Sequence, residues 1–128
     1  MATPNQRVLL HLDRDLRRAV AAADIYYLEA VGETTLVRLH SSRTLRDVRS
    51  LGELSPGFSA FGVLRIHRNH AVNVAHILEI RRRDAASGWE VRLEPPVNRA
   101  LPVSRDSLEQ LWAAFGERRG RSSRGPRS

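Results

Sequence analysis

The sequence predicts a mostly β domain of seven to nine short strands with two helices, one near the middle and one at the end. Three observations carry that reading. Short runs rich in Val, Ile, Leu, Thr and Tyr recur along the chain, each bounded by Gly, Pro, Asp, Asn or Ser. Helix start and stop signals occur at only two places. No internal repeat interrupts the pattern.

"RVLLHL" at 7–12 is short, apolar and bounded by turn formers, so it reads as a strand. "DIYYLEA" (24–30) and "TTLVRLH" (34–40) flank "VGE" around Gly32 and read as a hairpin. "RTLRDV" (43–48) reads as a strand, with a helix as the alternative. "SLGELSPGF" (50–58) offers Ser50 as an N-cap, Glu53 three residues on, and Pro-Gly as a stop, which predicts a helix of one or two turns. "VLRIH" (63–67) alternates, with Leu64 and Ile66 facing in. "ILEIRR" (77–82) and "WEVRLE" (89–94) flank "DAASG" as a second hairpin, and "ALPV" (100–103) is an edge strand because Pro102 cannot donate to a ladder on both sides. "SRDSLEQLWAAFG" (104–116) has Ser104 as N-cap, acids in the first turn and a terminal Gly116. Leu108, Leu111, Trp112 and Phe115 form one apolar stripe at i, i+3, i+4 and i+7.

Composition excludes several classes. At 128 residues the chain is one domain. It has no Cys, so it can form neither a disulfide framework nor a thiolate zinc site. No apolar run is long enough to span a bilayer and "MATPNQR" lacks a signal-peptide core, which predicts a cytoplasmic protein without a membrane partner. The net charge is +7, and all 21 basic residues are Arg, a planar fork suited to phosphate and guanine. Residues 117–128 carry five Arg against one Glu with no apolar period, so they read as a disordered Arg-rich tail following a domain at 1–116. Such a tail serves either solubility or electrostatic attachment to nucleic acid.

The chemistry concentrates in "RIHRNHAVNVAHI" at 65–77, with two Arg, three His and two Asn in thirteen residues. As a metal site it is poor: His67 and His70 fall on opposite faces of a strand, and the nearest carboxylate is Glu79. No catalytic triad order, phosphate loop or carboxylate pair accompanies it, so no enzyme and no cofactor is expected. Arg, His and Asn are instead the side chains that reach base edges and phosphates. Val72, Val74 and Ile77 must bury, so the stretch reads as a strand ending at His67 and a tight turn pinned from below. The plainer alternatives are Asn73 capping a turn, His76 satisfying backbone and Arg65 forming a surface ion pair.

"LRIHRNHAVNVAHI" followed by "LPVSRDSLEQL", with "ADIYYLEAVGETTLVRL" and "SLGELSPGF" upstream, resembles the LytTR DNA-binding domain, the output module of LytR/AlgR-type bacterial response regulators, over roughly 7–116. The resemblance implies an elongated stack of small antiparallel sheets. It implies a transcriptional regulator whose loops read double-stranded DNA at direct repeats and bend it, with self-association on the DNA. Carried over position by position, it assigns DNA contacts to Thr35 on the first hairpin, to His67, Arg68 and Asn69 in "IHRN", and to Arg105 in "VSRD". Asn73 matches a structural Asn. Thr35 is short for such a contact, and Arg38 or Arg43 are its possible substitutes. Pro95-Pro96 departs from the family's turn before Arg105. No receiver domain precedes the motif, so a stand-alone regulator is expected. The alternative is a protein-interaction module that modulates a full-length relative.

Overall fold

The computed structural model describes residues 6–41, 43–84 and 88–117. Among them the chain forms ten strands and two α-helices: β1 (Arg7–Asp13), β2 (Leu16–Ala21), β3 (Ile25–Val31), β4 (Thr34–Leu39), β5 (Thr44–Asp47), α1 (Leu51–Phe58), β6 (Val63–His67), β7 (His70–Asn73), β8 (Ile77–Asp84), β9 (Gly88–Leu93), β10 (Ala100–Val103) and α2 (Leu108–Ala114). They make three antiparallel sheets: β1-β2, the five-stranded β5-β4-β3-β7-β6, and β10-β9-β8. The molecule is thus a stack of small antiparallel sheets with two helices, as predicted.

The five-stranded sheet is the middle layer, and strand alternation sends its side chains into two different cores. On one face Leu28, Val37 and Ala71 bury with Val8, Leu10, Leu51, Leu54 and Phe58 from β1 and α1. On the other, Tyr27, Ile66 and Val72 bury with Val91, Leu93, Leu101 and Leu111 from the three-stranded sheet and α2. β6 serves both cores: Val63 belongs to the first, and Leu64 and Ile66 to the second.

Several local expectations change. β2 was not expected; its "LRRAVA" lacks an apolar alternation because the strand is largely exposed and pairs only with β1. The capping box of Ser50 and Glu53 starts α1, but Pro56 does not stop it. The burial of Leu51, Leu54 and Phe58 outweighs the single backbone hydrogen bond that Pro56 forfeits, and the chain turns only at Gly62, with φ +86°. The C-terminal helix begins at Leu108, not Ser104; a 3₁₀ turn over Arg105–Ser107 precedes it, and the Ser104 hydroxyl bonds that of Ser107 (2.9 Å) rather than capping a helix. Leu111 is buried and Trp112 packs edge-on against Trp89, with ring centroids 5.2 Å apart, but Phe115 lies past the helix end and is exposed. β10 is an edge strand, as Pro102 requires. Among the described residues no helix is long and apolar enough to cross a membrane. The Arg-rich tail beyond Glu117 lies outside the described residues.

β1 is fastened to β5 by a buried carboxylate. Asp47 accepts from the His11 N–H (2.8 Å), the Arg49 N–H (2.9 Å) and the Arg49 guanidinium (2.8 and 2.9 Å). Burial alone would raise the Asp47 carboxyl, but the hydrogen bonds and charge of Arg49 outweigh it and hold it below its ordinary value.

Candidate nucleic-acid interface

β6 ends at His67, and Arg68 and Asn69 form the turn into β7. Four bonds hold this turn. The Arg65 guanidinium donates to the carbonyls of His67 (3.1 Å) and Arg68 (2.6 Å). The Asn69 N–H donates to His67 Nδ1 (3.1 Å), which places the His67 ring hydrogen on Nε2. The Ala30 N–H donates to the Asn69 carbonyl (2.9 Å), tying the turn to β3. Arg65 is therefore a backbone clamp rather than half of a surface ion pair, a role its sequence position does not reveal.

Beneath the turn the apolar residues do as expected in graded fashion: Ile66 and Val72 are fully buried, while Val74 and Ile77 are partly buried. Asn73 donates to the Ile25 carbonyl (2.9 Å) and accepts from the Ala75 N–H (3.0 Å), so it is structural. His76 bonds the Ala23 carbonyl and stacks on Tyr26 with ring centroids 3.9 Å apart. His70 is buried at 8% exposure with Glu29 3.4 Å away; burial holds its imidazole below the usual range, against the pull of Glu29. Arg99 bonds the Tyr27 hydroxyl (2.6 Å) and Glu29 (3.3 Å). No group of three or more His, Asp or Glu is placed to hold a metal among the described residues.

Arg68, Asn69 and Arg105 are exposed, and neither arginine's guanidinium has an acidic partner among the described residues. Their loops are neighbours. The Ser104 N–H donates to the Ile66 carbonyl at 2.7 Å, which sets the start of the Arg105 turn beside the end of β6. Arg68 is two residues beyond Ile66 and Arg105 one beyond Ser104. Chain geometry then limits their Cα separation to roughly 17 Å.

Two predicted contacts do not join them. Thr35 is fully buried, and its hydroxyl donates to the Arg49 carbonyl (2.9 Å). Alternation along β4 explains this correction: Thr35 shares the inward face with Val37 and Leu39, and the hairpin tip is Gly32–Glu33. Arg43 is exposed, but its carbonyl pairs with the Leu39 N–H, level with Ile25 at the opposite end of β3 from the Arg68–Asn69 turn. Five strand residues separate those levels, about 17 Å. Arg38 is likewise set back from the tip, its guanidinium on the Leu39 carbonyl (3.2 Å).

Residues 17–116 match the family described as LytTr DNA-binding domain. No curated protein matches the chain. Among solved structures, the LytTr DNA-binding domain of a response regulator from Bacillus cereus is similar, with 26% identity and a TM-score of 0.67 over 87% of this chain and 97% of that one.

Proposed function

The chain belongs to the LytTr DNA-binding domain family and is a DNA-binding regulator, and from that premise we propose that it reads a specific duplex sequence through Arg68 and Arg105. The observation that supports the reading is the Ser104–Ile66 hydrogen bond, which holds together the loops of two exposed arginines that have no acidic partner among the described residues. Successive major grooves of B-DNA are about 34 Å apart, roughly twice the largest separation the two Cα atoms can have. Both arginines therefore serve one major groove, each suited to the O6 and N7 atoms of guanine. Asn69 and the free Nε2–H of His67 flank Arg68 and add polar contacts to the same groove. A domain that fills one groove reads few bases, so the proposal includes occupancy of direct repeats by copies that touch on the DNA, and a bend in the duplex that brings its backbone onto the protein.

Selection of duplexes from a random pool by the purified protein tests this. A recovered motif, repeated in direct orientation, is the expected result. On that motif Arg68→Ala and Arg105→Ala should each cost about 1–3 kcal/mol and relax preference at a base position. Their circular dichroism should be unchanged, because both side chains are exposed. A pool that yields no motif would overturn the reading in favour of a protein-interaction module.

A further inference from the structure

With Thr35 buried, the first hairpin offers no base-reading side chain, yet the sheet places a different cation at that edge. Cross-strand pairing sets Arg46 opposite Leu36, Leu36 opposite Glu29, and Glu29 opposite His70. Directly paired residues of antiparallel strands project to the same side. Arg46 therefore stands on the face of the five-stranded sheet that carries His70, three strands away from it and level with the start of β7. Three strand spacings amount to about 14 Å. Where β6, β7 and β3 are covered on this face by the second core, β4 and β5 are not: Leu36 is only partly buried and Arg46 is exposed.

The Arg46 guanidinium donates to the Thr34 hydroxyl at 2.9 Å, and the Thr34 hydroxyl in turn donates to the Val31 carbonyl at 2.9 Å. Arg46 is thus held at the hairpin by a neutral partner, with no carboxylate in contact among the described residues. The remaining N–H groups of its fork have no partner among the described residues. An arginine oriented by an uncharged group keeps its full charge for an anion and loses less side-chain freedom on meeting one. Arg38 and Arg99 face the same side, and Glu29 is the acid among them, already bonded by Arg99.

We propose that Arg46, oriented by Thr34, contacts the sugar-phosphate backbone of the duplex that Arg68 and Arg105 read, so that the uncovered face of β4 and β5 is a phosphate-binding surface. This rests on the reading above. The contact carries charge but no base information, and that separates it from the arginines in the groove.

The test is titration of the full chain and its Arg46→Ala and Arg46→Lys variants against the selected duplex and a random duplex over a range of salt. Arg46→Ala should bind both duplexes several-fold more weakly at low salt, and its plot of log K against log salt should be shallower by about 0.9. Base preference in a repeated selection should be unchanged, and Arg46→Lys should recover most of the slope. Thermal melting of each variant controls for folding. If the chain selects a motif while Arg46→Ala keeps the parent slope and affinity, this contact is overturned and the groove reading stands. If Arg46→Ala shifts base preference, Arg46 is a base reader and the phosphate assignment fails. If the chain selects no motif, the groove reading and this contact fall together.

Discussion

Arg65 donates twice to backbone carbonyls, and those bonds fix the turn that presents Arg68. Sequence could not assign it that task, because an arginine two residues before a turn looks the same whether it faces an acid, a phosphate or a peptide oxygen. Arg68 itself was legible: an alternating strand that ends at His67, with no apolar residue at 67–70, leads into a turn, and a turn exposes its central residues. Thr35 was legible too, in the other direction, since Thr35, Val37 and Leu39 alternate inward on one strand. Family position pointed it at DNA while the pleat pointed it at the core, and the pleat prevails because a strand buried on that face cannot slip by one residue. At this scale the clamp is the testable element. Arg65→Ala removes two charge-assisted bonds, the shorter of them solvent-exposed, and should lower stability by about 1–2 kcal/mol in urea denaturation. Affinity for the selected duplex should fall while the preferred bases and the salt slope stay the same. Unchanged stability and unchanged affinity together would show that the turn holds itself.

Among elements, two strands were not readable, for opposite reasons. Eight of the ten strands and both helices correspond to apolar or alternating runs, whereas β2 buries little and left no pattern, and β7, though buried throughout, is four residues long with polar His70 and Asn73 at its ends and reads as part of a turn. β1, whose Val8 and Leu10 pack in the first core, is further tied to β5 by Asp47, whose carboxylate joins the His11 backbone to Arg49. Asp47→Asn should destabilise by about 2–4 kcal/mol at neutral pH, since it leaves the Arg49 guanidinium and two backbone N–H groups with a weaker acceptor. Because the folded-state carboxyl is held below its ordinary value of 3.8, its contribution is fully present above that pH and is lost as pH falls through the depressed folded value. Urea midpoints at pH 7 and pH 3 should therefore drop further in the parent than in the variant. Parallel drops would place the acid sensitivity elsewhere.

Over the whole molecule, charge is divided between places that do different work. The body to Gly116 holds 16 Arg against 13 acids, and residues 117–128 hold five Arg against one Glu. Within the body some of the acids are paired with arginine: Asp47 with Arg49, Glu90 with Arg81 and Arg83, and Glu29 with Arg99, which also has His70 beside it. Arg68, Arg105 and Arg46, none with a carboxylate partner among the described residues, stand near the edge where β6, the Arg105 turn and the first hairpin end; that nearness is a consequence of topology and could not be read across the 36 residues between Arg68 and Arg105. On the reading proposed above, base information comes from that edge. The five tail arginines lie on residues outside the described structure; on the proposed reading their contribution is phosphate contact without selectivity. Truncation after Gly116 should then flatten the plot of log K against log salt by up to about 4.5, one increment of roughly 0.9 for each arginine engaged. Specific and random duplexes should weaken by the same factor, because what is removed is counterion release and not readout. A tail that served solubility alone would leave the slope where it was, and the truncated protein would precipitate at a lower concentration while binding its site as before.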